Sequence, residues 1–246
     1  MELRKRFDEL DSEELLLLLI ILPAERSVHL LLKLGQIEDT TRLVSLLRRL
    51  VEWEGGESEP LKELFSLPMG INLLDYMFGS EYAPDEASSG DMYWGYVVNG
   101  CRKAADIIAH LGVRDSQRIV DHIRRTDHTL WERLRGHVFL WEDIVRLSEQ
   151  ELSVVLRQLS GLLSLDEGLG AFIAMQTPAI AGKLLSSLPM GRRRKVWRIL
   201  QQTNDSLYTE EEAIFNDHEQ AKIRLLAYRQ ICAGNIRNPN SGGFEN

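Results

Sequence analysis

The sequence predicts an all-α protein, built as small helical bundles in series. Roughly 40 of its residues are leucine, which favours helix. The chain has only 18 glycines and 7 prolines, too few for the many turns of a β-sandwich. Apolar residues recur at spacings of three and four along most of the chain, and we find no convincing strand pattern.

The composition narrows the class of protein. With 29 basic and 37 acidic side chains, the formal net charge is -8, which argues against a nucleic-acid binder. The two cysteines, Cys101 and Cys232, cannot build a disulfide framework, and we expect both to be small buried residues. The apolar run at 15–22 is too short to span a membrane, and no signal peptide is recognisable. We therefore expect a cytoplasmic protein without a transmembrane segment.

Three helices are predicted at the start of the chain. Ser12 is a suitable N-cap for the run at 15–22, which is apolar on all sides and so predicts a buried helix. Pro23 suits the beginning of a second helix, which ends near Leu34. A third helix, at 37–53, carries apolar residues at helical spacing: Leu43, Leu46, Leu47 and Leu50.

The middle of the chain contains a predicted boundary and a long helix. Short helices are expected at 60–67 and 71–78, followed by a stretch rich in helix breakers at 79–90. From 91 to 111 we predict one long helix, interrupted by Asn99 and Gly100. Glycine inside a helix is unfavourable, so Gly100 is either closely packed against a neighbour or part of a hinge.

The remaining elements follow one another with short connections. Asp115 and Asp127 are predicted to cap two helices, and Gly136 to end the second. Ser148 and Glu151 match a capping box for a helix that reaches 159. Further helices are predicted at 139–147, 166–175, 178–188, 190–202 and 209–233, and a polar, disordered tail at the end.

Catalytic and cofactor motifs are missing from the sequence. There is no phosphate-binding loop, no GxSxG elbow and no HExxH pair. The six histidines are scattered, and neither cysteine has a metal-ligand spacing. We therefore expect a protein that is not an enzyme and needs no cofactor or metal.

One cluster of cations stands out on the helix at 190–202. Five basic residues within seven positions repel one another unless they face water or an acidic partner. Either a solvated helix face or a contact with an acidic protein surface explains them, and nucleic acid or anionic lipid is a weaker alternative. Trp197 would add an apolar anchor to a binding surface. This basic ridge consists of Arg192, Arg193, Arg194, Lys195 and Arg198.

The order of motifs across residues 104–159 resembles the flagellar motor switch protein family FliG. Val138-Phe139-Leu140-Trp141-Glu142-Asp143 is similar to the family's Met-Phe-x-Phe-Glu-Asp element. The segment 147–159 is similar to the family's next helix, and weaker similarity extends over about 11–236. The FliG N-terminal domain has no counterpart in this chain.

This resemblance implies an organisation and a set of partners. It implies a middle-like array at 1–90, armadillo-like helices with an interdomain helix at 91–147, a C-terminal-like domain at 148–236 and a disordered tail at 237–246. It implies rotor partners similar to FliM and FliF, a stator partner similar to MotA at the basic ridge, ring self-association, and a place at the inner face of the cytoplasmic membrane. The implied hinge residues are Asn99, Gly100, Val138, Phe139, Leu140 and Trp141.

The chain also departs from the family pattern. The family's FliM-contacting Glu-His-Pro-Gln falls at 10–13, which reads Leu-Asp-Ser-Glu. The lysine of the torque surface falls on Ala174, and its paired acids fall at 201–203, which reads Gln-Gln-Thr. Because torque generation depends on charge, these departures favour an alternative, a FliG-derived scaffold or adaptor without a torque role.

Overall fold

Every regular element that the structure describes is helical, which confirms the all-α prediction. A computed structural model of the chain describes residues 12–53, 99–202 and 210–240. The predicted helices at 60–67 and 71–78 and the boundary at 79–90 lie outside these residues. Over the described ranges the α-helices are numbered α1 to α11 in chain order. The armadillo-like arrangement stays a prediction.

The chain divides into two compact units between Ile107 and Ile108. The predicted boundary at 147/148 does not coincide with this division, because residues 108–147 belong to the second unit. The first unit contains α1 (Ser12–Ile21), α2 (Ala24–Lys33), α3 (Thr40–Glu52) and the beginning of α4 (Gly100–His110).

Leucine-rich faces form the core of the first unit. Leu15 and Leu19 in α1 are almost fully buried, as the all-round apolar pattern predicts. The Lys103 ammonium donates a hydrogen bond to the Leu22 carbonyl. Burial lowers the pKa of Lys103, while Asp106 acts in the opposite direction. The buried apolar side chains of α3 are Leu43, Val44, Leu46, Leu47, Leu50 and Val51.

The second unit begins within α4 and is built around its last helix. It contains two 3₁₀ turns, Trp141–Arg146 and Gly161–Ser164, between its α-helices. The helices are α5 (Val113–Thr126), α6 (His128–Leu134), α7 (Glu149–Leu156), α8 (Asp166–Ala174), α9 (Pro178–Ser186), α10 (Met190–Gln202) and α11 (Glu210–Cys232).

A large apolar cluster lies within the second unit. Phe139, Trp141, Phe172 and Ile223 all belong to it. The rings of Trp141 and Phe172 meet edge to face, with centroids 6.0 Å apart. This core joins residues from both ends of the unit, which explains why the segment before Ser148 does not form a separate body from the helices after it.

Local capping signals decide several helix ends. The Asp127 side chain accepts from the Leu130 N–H at 3.1 Å, and Ser148 Oγ accepts from the Glu151 N–H at 3.2 Å. In return, Glu151 Oε2 accepts from the Ser148 N–H at 2.7 Å, which confirms the capping box. This backbone hydrogen bond is the main reason why the pKa of Glu151 lies below its ordinary value.

Two local predictions are wrong. The segment predicted as a helix at 139–147 is not helical before Trp141. Leu140 is extended, and a 3₁₀ turn follows it, capped by a hydrogen bond from the Leu140 N–H to Asp143 Oδ2 at 2.8 Å. Cys101 is half-buried and Cys232 is exposed, so Cys232 is not a core residue.

Candidate partner-binding surface

Close packing between α8 and α10 fixes the position of the helix that carries the basic ridge. A Cβ atom at Gly170 would lie 2.8 Å from Ile199 Cγ2, so only glycine allows the two helices to come this near. Val196 is fully buried, whereas most of the other α10 side chains are exposed. Helix α10 therefore turns one narrow face to the core and the rest outward.

Arg192 belongs to the inner side of the ridge. Its Nε donates to Asp166 Oδ1 at 3.0 Å, and its Nη2 donates to the carbonyls of Leu163 and Ser164 at 3.0 and 2.8 Å. Both carbonyls lie in the 3₁₀ turn Gly161–Ser164. Cations commonly satisfy carbonyls at the end of a helical turn, so Arg192 has a structural role.

Arg193 makes a similar contact with the neighbouring helix. Its guanidinium donates to the carbonyls of Ser186 and Leu188, the latter at 3.1 Å. Both carbonyls lie at or just after the end of α9. Arg193 thus fastens α10 to α9 through Nη2, although the residue is exposed.

The outward part of the ridge is Arg194, Lys195 and Arg198, and all three are exposed. Lys195 Nζ lies 3.6 Å from Asp166 Oδ2, but the lysine side chain is 69% exposed, so this pair is weak. Arg198 makes no ion pair with any residue in the described ranges. The structure therefore divides the predicted ridge into two arginines that donate to carbonyls of neighbouring elements and the three cations Arg194, Lys195 and Arg198, which we call the outer cations.

A groove runs beside the outer cations, between α9 and α10. It is an open groove with a volume of about 400 Å³, lined by Gly182, Leu185, Ser186, Arg193, Arg194 and Trp197. Trp197 is 52% exposed. The hydroxyl of Ser186 already donates to the Lys183 carbonyl at 3.0 Å, so the free surface of the groove is mainly apolar. An apolar groove with cations at its rim is a chemical pattern for binding an acidic protein segment.

The implied hinge at Val138, Phe139, Leu140 and Trp141 lies in the interior of the second unit. All four side chains are buried, and Phe139 and Trp141 are part of the continuous core. Bending the chain here would expose this core to water. The geometry therefore argues against a hinge at these four residues.

Residues 238–240 hold the same segment from outside, and we call them the strap. Asn240 Nδ2 donates to the Val138 carbonyl at 3.0 Å and to Asp143 Oδ2 at 2.9 Å. Asn238 Nδ2 donates to the Gly136 carbonyl at 2.8 Å. The prediction of a disordered tail from 237 is therefore wrong for these residues, because the asparagine side chains find backbone partners. Residues 241–246 lie outside the described ones.

Asn99 and Gly100 begin α4 within the described residues. Asn99 Oδ1 accepts from the Arg102 N–H at 2.9 Å, which makes Asn99 an N-cap. A Cβ atom at Gly100 would lie 1.9 Å from the Leu50 carbonyl oxygen. Of the two interpretations of Gly100, this contact supports the closely packed one. The predicted helix before Asn99, at 91–98, lies outside the described residues.

Sequence reasoning missed Arg224, which is fully buried in α11. Its guanidinium donates to Ser116 Oγ, to the Leu111 carbonyl and, at 3.1 Å, to the Ala109 carbonyl. Loss of solvent lowers the pKa of Arg224 to about 10, and Asp217 and Glu142 act in the opposite direction. The sequence gives no sign that Arg224 is buried, because an arginine in a helix is normally expected at the surface.

Comparisons with known proteins identify no family for this chain. No protein-family model matches it, and no curated protein matches it. Within residues 12–53, 99–202 and 210–240, no helix combines the length and apolar character needed to cross a membrane. The same ranges contain no group of three or more His, Cys, Asp and Glu side chains placed to hold a metal ion.

Proposed function

We propose that this chain is a FliG-like component of the flagellar rotor and switch complex. It acts in motility through protein–protein contacts and is not an enzyme. The observation that carries this proposal is the sequence resemblance, in which the elements across residues 104–159 follow one another in the family's order. The all-α fold is compatible with it.

The outer cations are the proposed contact with an acidic partner. Arg194, Lys195 and Arg198 project from one helix, and the rest of the protein is acidic overall. A local positive surface on an acidic protein selects and orients a negatively charged partner. In a flagellar motor this acidic partner would be a MotA-like stator. The neighbours of the chain in the rotor would be FliM-like and FliF-like proteins. Copies of the chain would associate with one another into a ring. The protein would then work at the inner face of the cytoplasmic membrane.

The second candidate is a FliG-derived scaffold or adaptor without a torque role. The observation that favours it is the missing charge set, with Ala174 at the lysine position and Gln201 and Gln202 at the acidic positions. Such a protein would use the same surface to hold a partner, and rotation would not depend on it.

Reversing the outer cations tests the proposal. We expect the triple variant Arg194→Glu, Lys195→Glu, Arg198→Glu to fold normally, since none of the three side chains is buried. In the native cell, it should assemble at the flagellar base while swimming speed falls severely. Fluorescence microscopy of the tagged chain and tracking of single cells measure the two effects.

A matched control reverses three exposed cations elsewhere in the second unit, Arg157→Glu, Arg229→Glu and Arg237→Glu. It changes the net charge by the same amount and should leave swimming unchanged. Normal swimming of the α10 variant, with the protein at the flagellar base, would favour the scaffold. Absence of the unaltered protein from the base would refute a rotor role.

A further inference from the structure

The groove between α9 and α10 leaves apolar surface in water next to positive charge. Trp197 is half-exposed, and Leu185 contributes a second apolar wall. At Gly182, a Cβ atom would meet no other atom within 4 Å, so this wall is open. Exposed aromatic surface at a concave site is typical of a place where another molecule binds.

One residue connects the groove to the outer cations. Arg194 lines the groove, is exposed, and has its guanidinium 4.0 Å from Met190 Sδ but in no ion pair with another described residue. Arg198 lies four residues after it and so on the same side of the helix, whereas Lys195 is turned toward Asp166. A partner that fills the groove would therefore meet Arg193 and Arg194 in its lining and Arg198 one helical turn beyond Arg194.

We infer that this groove binds an acidic segment of a partner protein and takes one large apolar side chain of that segment against Trp197. Carboxylates on either side of this apolar side chain pair with Arg194 and Arg198. The inference rests on the proposed function, since it uses the same outer cations, and it adds the apolar contact and the chemistry of the partner. A volume of about 400 Å³ suits a single aromatic or leucine side chain with its adjoining backbone.

Charge complementarity selects an acidic peptide over the other occupants. Nucleic acids and anionic membranes are bound through many cations spread over a wide surface, whereas here only a few cations on one helix are available, which suits a short acidic segment. An apolar groove also adds little to the binding of a phosphate backbone, whereas it adds directly to the binding of a peptide with an apolar side chain.

The test uses two synthetic peptides and the full chain labelled with ¹⁵N. Both peptides carry the same number of glutamates, and they differ at one central position, which is phenylalanine in one and alanine in the other. We expect the phenylalanine peptide to bind about tenfold more tightly, which is the effect of burying one such side chain. We also expect it to shift the indole N–H signal of Trp197, assigned with the variant Trp197→Phe.

Two variants separate the apolar contact from the charges. Gly182→Leu fills the groove from the α9 side and should abolish the tenfold preference, so that both peptides bind alike. Gly191→Leu is its matched control, because Gly191 is an exposed helical glycine with equally open space that does not line the groove. It should keep the preference. The triple reversal of the outer cations should lower the affinity of both peptides by a similar factor.

Each result has a defined meaning. Equal binding of the two peptides to the unaltered protein, with loss of both in the triple variant, overturns the apolar contact and leaves the proposed charged surface intact. Failure of both peptides to bind overturns the groove inference, and the swimming assay then decides the proposed function separately. Self-association of the protein that Gly182→Leu abolishes would make a second copy the occupant and overturn the inference. Stronger binding of an RNA oligonucleotide or of phosphatidylglycerol vesicles would overturn it too.

Discussion

Individual side chains on α10 have different roles although the sequence presents them as one basic run. Arg192 and Arg193 donate to carbonyls at the ends of two neighbouring elements, whereas Arg194 faces solvent. The sequence places the five cations on one helix, as the structure does, but it cannot predict this division, because the carbonyl partners come from positions up to 29 residues away. Partner-binding variants should therefore avoid the first two arginines.

The tight approach of α8 to α10 gives a prediction at a single residue. Changing Gly170→Ala places a methyl group 2.8 Å from Ile199 Cγ2, and the helices must move apart. We expect a loss of about 1–2 kcal/mol in the free energy of unfolding, because overpacking outweighs the better helix propensity of alanine. Urea denaturation of the two proteins measures the difference.

Gly182→Ala is the control for this prediction, since its methyl group would meet open space. Here the helix propensity acts alone, and we expect a gain of about 0.5–1 kcal/mol. The two substitutions are chemically identical and should change stability in opposite directions. A gain at Gly170 would mean that the α8–α10 contact has room to spare.

At the level of elements, the strap provides a prediction about local motion. Replacing Asn238 and Asn240 by alanine removes hydrogen bonds to the Gly136 and Val138 carbonyls. Losing them should weaken the hold on the segment before Ser148 and raise its amide exchange rate about tenfold. Hydrogen–deuterium exchange over residues 136–147 measures this effect.

Asn235→Ala serves as the comparison, because the side chain of Asn235 makes its hydrogen bond outside that segment. Its Nδ2 donates to Gln230 Oε1 at 2.8 Å. Exchange over 136–147 should then match that of the unaltered protein. If the double variant exchanges no faster than Asn235→Ala, the buried side chains alone hold the segment and the strap adds nothing.

Helix ends can be predicted from the sequence wherever the signal is local. Asp127 and the Ser148–Glu151 capping box act over three residues, and the structure confirms both. The strap cannot be predicted in the same way, since its backbone partners lie 102 residues away in the chain. From its composition, this polar, asparagine-rich stretch is expected to be disordered. Only the folded protein shows that distant carbonyls accept hydrogen bonds from its asparagine side chains.

For the whole molecule, the division between residues 107 and 108 predicts how the chain unfolds. The described core residues of the second unit run from Ala109 to Ile236. A fragment of residues 99–246 keeps this core and the Asn99 cap of α4. We expect it to be helical and to melt in one cooperative transition, as followed by circular dichroism.

A fragment that begins at 148, the predicted boundary, is the informative counterpart. It lacks Phe139 and Trp141, two large members of the core, and should melt without cooperativity. Cooperative melting of this shorter fragment would mean that it folds on its own, in agreement with the boundary at 147/148 that the family resemblance implies.

Arg224 has a consequence for the order of events during synthesis. It reaches back 113 and 115 positions to the carbonyls of Leu111 and Ala109. While a ribosome is still making the residues between them, those carbonyls have no guanidinium to accept from. We therefore expect the second unit to complete its tertiary structure only after α11 has been synthesised. Such late, long-range closure lengthens the time that apolar surface stays open to chaperones.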